Sequence, residues 1–409
     1  MSLIESTLFC LKSTTYGGRS LFATIFIPAN SLVHASESPC AHVIYKDYRK
    51  TVCAWCFAYS TTGALIFAAS DSGANSKHKS GTGNGERFCT IICKDLWIAE
   101  GMKYNGVRGK VSNAVEAAVR RMHRERHKSI SSSELSPGLD PEVASTITQE
   151  ILDTAWIAAA NQEDGPIAQL NDMELEIMRF VSSGLVQLLL LRNQLAAAVP
   201  DALELPVIQA NPLKQSALNL QENELPHIQQ RPYILDSHIR IHSFLRSAIA
   251  LGRRDSDDMF GGEPTAESKA GGWVRGILGR DAGNAFGIRQ DSSSAASVGG
   301  SDLEDDEMMG WGLWVDASYF NHSCKPNIKK VRVGRTLQFY TTAAIQPGEE
   351  LCISYVDLDS VKDADTSSAD QTNKGGEAKI GETRRQLLMS GWFFACECPR
   401  CQSDQTMDP

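Results

Sequence analysis

Apolar and polar positions change period several times along the chain. Residues 8–50 alternate short apolar and polar runs, Leu21-Phe22-Ala23-Thr24-Ile25-Phe26-Ile27 and then Val43-Ile44-Tyr45, punctuated by Gly17-Gly18 and Pro28. Such alternation, cut by glycine and proline, predicts strands and turns. Residues 51–100 hold two cysteine pairs around a Ser/Gly/Lys-rich stretch, Ser70 to Gly85, which predicts a loop. Between residues 109 and 250 the period becomes helical. Three helices are predicted: Val143 to Ala160 after Pro141, Asp172 to Leu195 with apolar residues at i, i+3 and i+4, and Leu235 to Leu251. Asp255 to Ala270 and Asp291 to Asp306 are rich in Gly, Ser and Asp and predict mobile segments. Strands resume at Leu337-Gln338-Phe339-Tyr340 and over Leu351 to Tyr355, and residues 359–380 read as a polar linker before a terminal cysteine segment. There is no internal repeat. A helical block between two strand-rich ends predicts one domain of the α+β class interrupted by insertions.

Composition adds limits rather than detail. A chain of 409 residues has room for two or three domains, and 42% hydrophobic with 22% charged residues is ordinary for a globular protein. The N-terminus lacks the basic-then-apolar layout of a secretory signal. No apolar stretch is long enough to span a bilayer, since Leu185 to Leu191 is broken by Gln187 and followed by Arg192. The expected setting is cytoplasmic, nuclear or both, without a membrane. The eleven cysteines are an odd number. Seven sit in the short-spaced clusters Cys53/Cys56, Cys89/Cys93 and Cys396/Cys398/Cys401, which favours reduced thiolates on metal over a disulfide framework. A net charge of −9 argues against direct nucleic-acid binding and is compatible with a basic peptide as partner.

Three motifs carry the chemistry: Asn321-His322-Ser323-Cys324-Lys325-Pro326-Asn327, then Gly348-Glu349-Glu350-Leu351-Cys352-Ile353-Ser354-Tyr355, then Cys396-x-Cys398-x-x-Cys401. Alone, the first also reads as a turn, because Asn-x-Ser and Pro-Asn favour turns, though function stands ahead of that reading. A tyrosine ending an apolar strand, like Tyr355, is by itself a core side chain with a satisfied hydroxyl. In this order the three resemble the catalytic half of a SET-domain lysine methyltransferase. The whole layout resembles the SET and MYND domain family, in which a β-rich SET core is split by a zinc finger and a helical insert. The resemblance is strongest over residues 281–401, covers both ends of the chain and matches the middle in kind. It implies six parts: 1–50 and 271–358 as the two pieces of the SET core, 51–100 as a MYND-like finger, 101–270 as the helical insert, 359–380 as a linker and 381–409 as a post-SET cysteine segment.

By that resemblance the chain is expected to transfer a methyl group from S-adenosylmethionine to an exposed lysine of a protein substrate, histone or non-histone, and to act as a monomer. Such chemistry needs a pocket for a cationic cofactor, a deprotonated amine and collinear nitrogen, methyl and sulfur, the last a positioning effect. A lysine with a pKa near about 10.4 loses its proton more readily in an apolar channel beside a sulfonium. The resemblance assigns Asn321 and His322 to the cofactor, together with Ser318 and with Asn284 in Asn284-Ala285-Phe286-Gly287-Ile288. Tyr355 matches the catalytic tyrosine, whose hydroxyl orients the amine, and also lies against the cofactor. Tyr16-Gly17-Gly18-Arg19-Ser20-Leu21-Phe22-Ala23 resembles the Gly-x-Gly cofactor loop, so Gly18, Arg19 and Ser20 are expected contacts, although Ser20 stands where the second glycine belongs. Phe394 matches an aromatic that packs on the adenine; read without the family, it is equally a buried ring in a metal knuckle. Phe339 and Tyr340 either wall the lysine channel or are plain strand residues.

Three thiolates at Cys396, Cys398 and Cys401 fall one short of a closed structural zinc. The resemblance supplies Cys324 as the fourth ligand. Cys53, Cys56, Cys89 and Cys93 match the two ligand pairs of one zinc in a MYND cross-brace. The second zinc finds only His78 before Cys89 and no histidine or cysteine between Cys93 and His123, so the finger reads as degenerate. The basic run Arg120 to Lys128 is a solvated helix face or linker, a nuclear address or a partner patch, and the acidic run Asp302 to Glu307 a solubilising loop or a lure for a basic substrate. The rival reading is a non-catalytic SET-like scaffold that recruits protein partners. A metal-dependent hydrolase fits poorly, because closed four-thiolate sites leave no open coordination position.

Overall fold

The computed structural model describes residues 6–14, 16, 18–68, 85–128, 147–162, 167–198, 217–249, 260, 270–290, 307–356 and 375–406. The chain forms two compact units: one holds residues 1–38, 282–284 and 315–409, the other residues 39–281 and 285–314. Among the described residues no helix is long and apolar enough to cross a membrane.

The first unit is built from short strands of distant sequence. β1 (Phe9–Ser13) and β2 (Arg19–Ala23) form an antiparallel hairpin, with Lys12 opposite Ser20. β3 (Leu32–Ser36) joins β10 (Ile328–Val333) and β11 (Thr336–Thr341) in the order β10-β11-β3. β11 alternates inward and outward side chains as a half-buried strand should, with Leu337, Phe339 and Thr341 buried. β9 (Asn321–His322) pairs in parallel with β12 (Cys352–Ile353), so only two residues of the predicted strand Leu351 to Tyr355 lie in a ladder. Two helices close the unit, α7 (Gly375–Trp392) and α8 (Pro399–Thr406). α7 begins inside the stretch read as a linker, the rest of which lies outside the described residues.

The second unit holds the helical block. α1 (Ile91–Lys128) starts where Thr90 Oγ1 accepts from the Cys93 amide, and Gly106, at φ +67°, interrupts it. Glycines at 101, 106 and 109 weaken helix propensity, which is why the apolar period only became legible after residue 109. The basic run Arg120 to Arg126 lies on its C-terminal part, exposed except at Met122, where cations also suit the negative helix end.

α2 (Gln149–Asn161) is capped by Thr148, whose side chain accepts from Ile151 N. α3 (Asp172–Ala198) opens on a reciprocal box in which Asn171 Oδ1 takes the Glu174 amide and Glu174 Oε2 takes the Asn171 amide, both at 2.9 Å. α4 (Glu224–Gln230) and α5 (Tyr233–Ala248) complete the block, with Ile234, His238, Ile241, His242 and Leu245 on one buried stripe of α5. Under them Glu224 and Arg275 form a buried ion pair at 2.8 Å, and Trp156 Nε1 also donates to Glu224. Arg275 comes from α6 (Gly272–Asn284), a helix the sequence reading did not predict and whose backbone is non-helical at Ala282 and Gly283.

A three-stranded sheet, β4 (Ala41–Ile44), β8 (Met308–Leu313) and β7 (Phe286–Arg289) in the order β4-β8-β7, sits against α3. Ser183 of α3 satisfies the outer edge of β4, its hydroxyl donating to His42 O and accepting from His42 N. Gly310 is obligatory here: a Cβ would lie 2.1 Å from the Val43 carbonyl oxygen. The predicted helices at 143–160 and 235–251 have shifted ends, and residues 143–146 lie outside the described set, as do His78 and nearly all of the predicted loops Ser70 to Gly85, Asp255 to Ala270 and Asp291 to Asp306.

Candidate functional site

The Asn-His strand and the Gly-Glu-Glu strand meet in the first unit because β9 pairs with β12: Asn321 lies opposite Cys352 and His322 opposite Ile353. Asn327, the last residue of the first motif, clamps the pairing from outside the ladder. Its Nδ2 donates to the Glu350 carbonyl and its Oδ1 accepts from the Cys352 amide, both at 2.8 Å. The amide side chain thus replaces a missing strand partner.

β2 then lines up beside the same segment. Leu351 N donates to Leu21 O and Ala23 N to Glu349 O, so the N-terminal hairpin is laid along the second motif. Gly18 holds φ +71°, a left-handed conformation that glycine adopts without steric cost. Ser20 keeps the hairpin register, fully buried, with no hydrogen-bond partner for its hydroxyl. The serine is therefore accommodated sterically where the family pattern has glycine. Gly17 lies outside the described residues. Arg19 sets its guanidinium over the Tyr319 ring at 5.1 Å. Ser318 donates to the carbonyl of Asn284 at 3.1 Å, which ties the kinked end of α6 to the turn before Asn321.

His322 connects tyrosine and thiolates. The Tyr355 amide donates to its Nδ1 at 3.0 Å, which leaves the ring proton on Nε2, 3.3 Å from Cys324 Sγ. Burial pushes its pKa down to about 4, with Arg384 adding to the fall and Cys398 opposing it, so the ring is neutral. The Tyr355 hydroxyl donates to the Phe320 carbonyl at 2.9 Å. Burial, then the charges of Cys352 and Glu350, push the phenol well above its usual range, so it keeps its proton. Phe394 meets the edge of the Tyr355 ring at 6.3 Å, Trp392 lies tilted at 5.6 Å, and His322 is 6.2 Å from Phe394. Phe393, between the two aromatics, has φ +64°, a strained conformation for a bulky residue that turns the chain so both flanking rings reach Tyr355. Phe339 is buried and stacks on Phe320 at 4.2 Å, whereas the Tyr340 hydroxyl donates to Gln338.

Cys324, Cys396, Cys398 and Cys401 bring four sulfurs within 4.8 Å of one another, with Cys324 at 3.6 Å from Cys401 and 4.0 Å from Cys396. Tetrahedral zinc at about 2.3 Å from each thiolate sets its sulfurs about 3.8 Å apart, so the donor set fits. Cys53, Cys56, Cys89 and Cys93 form a second such group in the other unit, with Cys56–Cys89 at 3.5 Å and Cys89–Cys93 at 3.6 Å. A small ladder, β5 (Phe67–Ala68) with β6 (Arg87–Phe88), carries Cys89 to the start of α1, whose first turn holds Cys93.

Two residues of this site were absent from the sequence reading as actors: Glu350 and Asn327. Glu350 Oε1 accepts from Asn321 Nδ2 at 3.2 Å and Oε2 accepts from the Tyr16 hydroxyl. The only sequence signal for either was its place inside a quoted motif. A carboxylate held against the Asn321 amide and a cluster of three aromatic rings are groups that suit a cationic ligand.

A family model described as SET domain matches residues 18–356. The potential protein lysine methyltransferase SET6 of Saccharomyces cerevisiae is 25% identical over 430 residues, covering 98% of this chain and 96% of the yeast protein. A SET and MYND domain-containing protein of Dictyostelium discoideum is 34% identical over 106 residues, 26% of this chain and 21% of that protein. N-lysine methyltransferase SMYD2 of Homo sapiens is 30% identical over 104 residues, 25% of this chain and 20% of the human protein. The match thus spans nearly all of the yeast relative and about a fifth of the other two.

Proposed function

This chain belongs to the SET-domain family, and on that premise we propose how it works as a protein-lysine N-methyltransferase. The cofactor is S-adenosylmethionine, which when bound supplies a methyl group on a positively charged sulfur. Asn321, His322, Asn284, Ser318 and the hairpin residues Gly18, Arg19 and Ser20 would hold it, and Phe394 would offer an aromatic ring to its adenine. Cys324, Cys396, Cys398 and Cys401 would hold one zinc, and Cys53, Cys56, Cys89 and Cys93 another. The substrate is an exposed lysine of a protein, histone or non-histone.

The residues of this chain act by position. Tyr355 offers its oxygen lone pairs to the incoming amine, because its proton is already committed to the Phe320 carbonyl. A phenol that stays protonated orients the amine without removing its proton. The rings of Tyr355, Trp392 and Phe394 keep water away, and an amine in apolar surroundings favours its neutral form. His322 braces the Tyr355 backbone against the thiolate cluster, so the metal knuckle fixes the catalytic side chain.

The observation that carries this reading is the convergence of Asn321–His322, Tyr355 and the four cysteines around one imidazole. Tyr355→Phe is expected to abolish methylation of a histone or cell-extract mixture with labelled cofactor. Titration calorimetry should find cofactor affinity within about threefold of the parent, less than the loss of one hydrogen bond. Equal loss of binding and turnover would make Tyr355 structural, and a parent protein that binds no S-adenosylmethionine would favour the scaffold reading.

A further inference from the structure

The C-terminal half of α1 presents a charged face that methyl transfer leaves unused. One side of the helix is spent on the core: Val111, Val115, Ala118, Val119 and Met122 are buried at helical spacing. The Leu170 amide donates to Met122 Sδ at 3.3 Å, which pins the helix's rotation at this end. Asn113, Ala117, Arg120, Arg121 and Arg124 recur on the opposite side at spacings of three and four, and all are exposed. The two carboxylates of this stretch are engaged by arginines. Glu116 accepts from Arg179 at 2.8 Å, and Glu125 lies 4.0 Å from Arg121 with both side chains about half exposed, a pair worth little in water. Two ordinary uses of surface arginine do not account for the face. The helix dipole favours cations within the last turn, and α1 runs on to Lys128, so Arg120 and Arg121 stand about two turns short of its end. Solubility is served by net charge, which is −9, and cations here only reduce it.

We propose that Arg120, Arg121 and Arg124 form a docking face for a short acidic segment of a partner protein. Their guanidinium groups are planar forks that match a carboxylate with two hydrogen bonds at a time. Ala117, at the upstream edge, is too small to hold a peptide backbone away. The face is short, since the rise from Arg120 to Arg124 is about 6 Å. An extended chain advances about 3.3 Å per residue, so two or three carboxylates cover it, from a run of about four to six Asp and Glu. Nucleic acid fits less well. Its phosphates continue far beyond about 8 Å, the reach of a charge in physiological salt, and meet a protein of net negative charge. A lipid surface fits worse still, because a helix lying on a bilayer must turn its apolar side to the lipid, and here that side is buried.

Fluorescence anisotropy on the full chain at about 0.15 M salt tests the face, with labelled octaglutamate, octaglutamine and an eight-nucleotide single-stranded DNA as probes. Octaglutamate is expected to bind saturably, and the other two more weakly by at least about tenfold. Arg120→Glu/Arg124→Glu replaces two attractions by two repulsions and is expected to weaken octaglutamate by about tenfold or more, and Arg120→Gln/Arg124→Gln by about threefold or more. Lys50→Glu/Lys329→Glu makes the same change in net charge on two exposed lysines outside α1 and is expected to leave binding within about twofold of the parent. All the substituted side chains are exposed, and circular dichroism checks that helix content is kept. A parent that does not bind octaglutamate overturns the proposal, as does an arginine variant that binds it like the parent. Equal weakening by the lysine variant would trace the effect to net charge and overturn the face. Binding of the oligonucleotide as tight as that of the peptide overturns the choice of partner.

Discussion

Asn327→Ala isolates the clamp that holds the two catalytic motifs together. Asn327 gives one hydrogen bond to the Glu350 carbonyl and takes one from the Cys352 amide, each at 2.8 Å, and Cys352 is buried. Alanine removes both partners and leaves a donor and an acceptor unsatisfied in a place water reaches poorly. Each net hydrogen bond is worth about 1 kcal/mol, and stranding a buried group costs about 1–3 kcal/mol, so the segment should lose about 2–4 kcal/mol locally. Hydrogen exchange on peptides covering residues 348–355 reads this directly. The Cys352 amide should exchange at least about tenfold faster, since about 1.4 kcal/mol is a factor of ten. Asn327→Asp is the internal control. Its carboxylate still accepts from the Cys352 amide but faces the Glu350 carbonyl acceptor to acceptor, so it should protect the amide nearly as the parent does while still opening the Glu350 side. Unchanged exchange in Asn327→Ala, or identical behaviour of the two variants, would refute the clamp.

Other consequences can be measured as simply. Metal analysis should find two zinc ions per chain, with Cys401→Ser and Cys89→Ser each removing one; Cys401→Ser should also weaken cofactor binding, because Cys324 touches His322. Glu224→Ala leaves Arg275 buried without its main partner and should cost about 3–5 kcal/mol in denaturant unfolding, whereas a Glu224→Met/Arg275→Met pair should cost less than either single change. His238 and His242 are buried, which pushes their pKa values down to about 3 and about 4, the Phe260 carbonyl opposing and Arg246 adding to the fall at His242. The unfolded chain takes up these protons first, so stability should fall as pH drops from 6.5 toward 4, by about 1.4 kcal/mol per pH unit for each histidine. Thermal melting of His238→Leu/His242→Leu between these pH values should show a flatter slope, and an unchanged slope would contradict the burial argument.

The chemistry was legible because it needs particular residue types in a fixed order. Spacing announced the short cysteine clusters, the resemblance supplied Cys324 and the pairing of the first two clusters, and the Asn-His and Gly-Glu-Glu motifs announced the family, whose β-rich core with helical insert follows. Helices with a clean apolar stripe, such as Asp172–Ala198, were legible for the same local reason: burial on one face imprints a period. What the chain could not disclose was long-range. Gly272–Asn284 and Gly375–Trp392 lack such a stripe, so their helices went unread. Glu350 was only one position of its motif until the fold placed Asn321 and Tyr16 against its two oxygens. Asn327 looked like a turn residue until the fold left two backbone groups facing it. A side chain's partner across 29 or 334 positions is set by packing, and no local pattern records it. Sequence fixed which groups were available, and tertiary structure decided which of them meet, because hydrogen bonds act over about three ångströms while the chain between them is free to run anywhere.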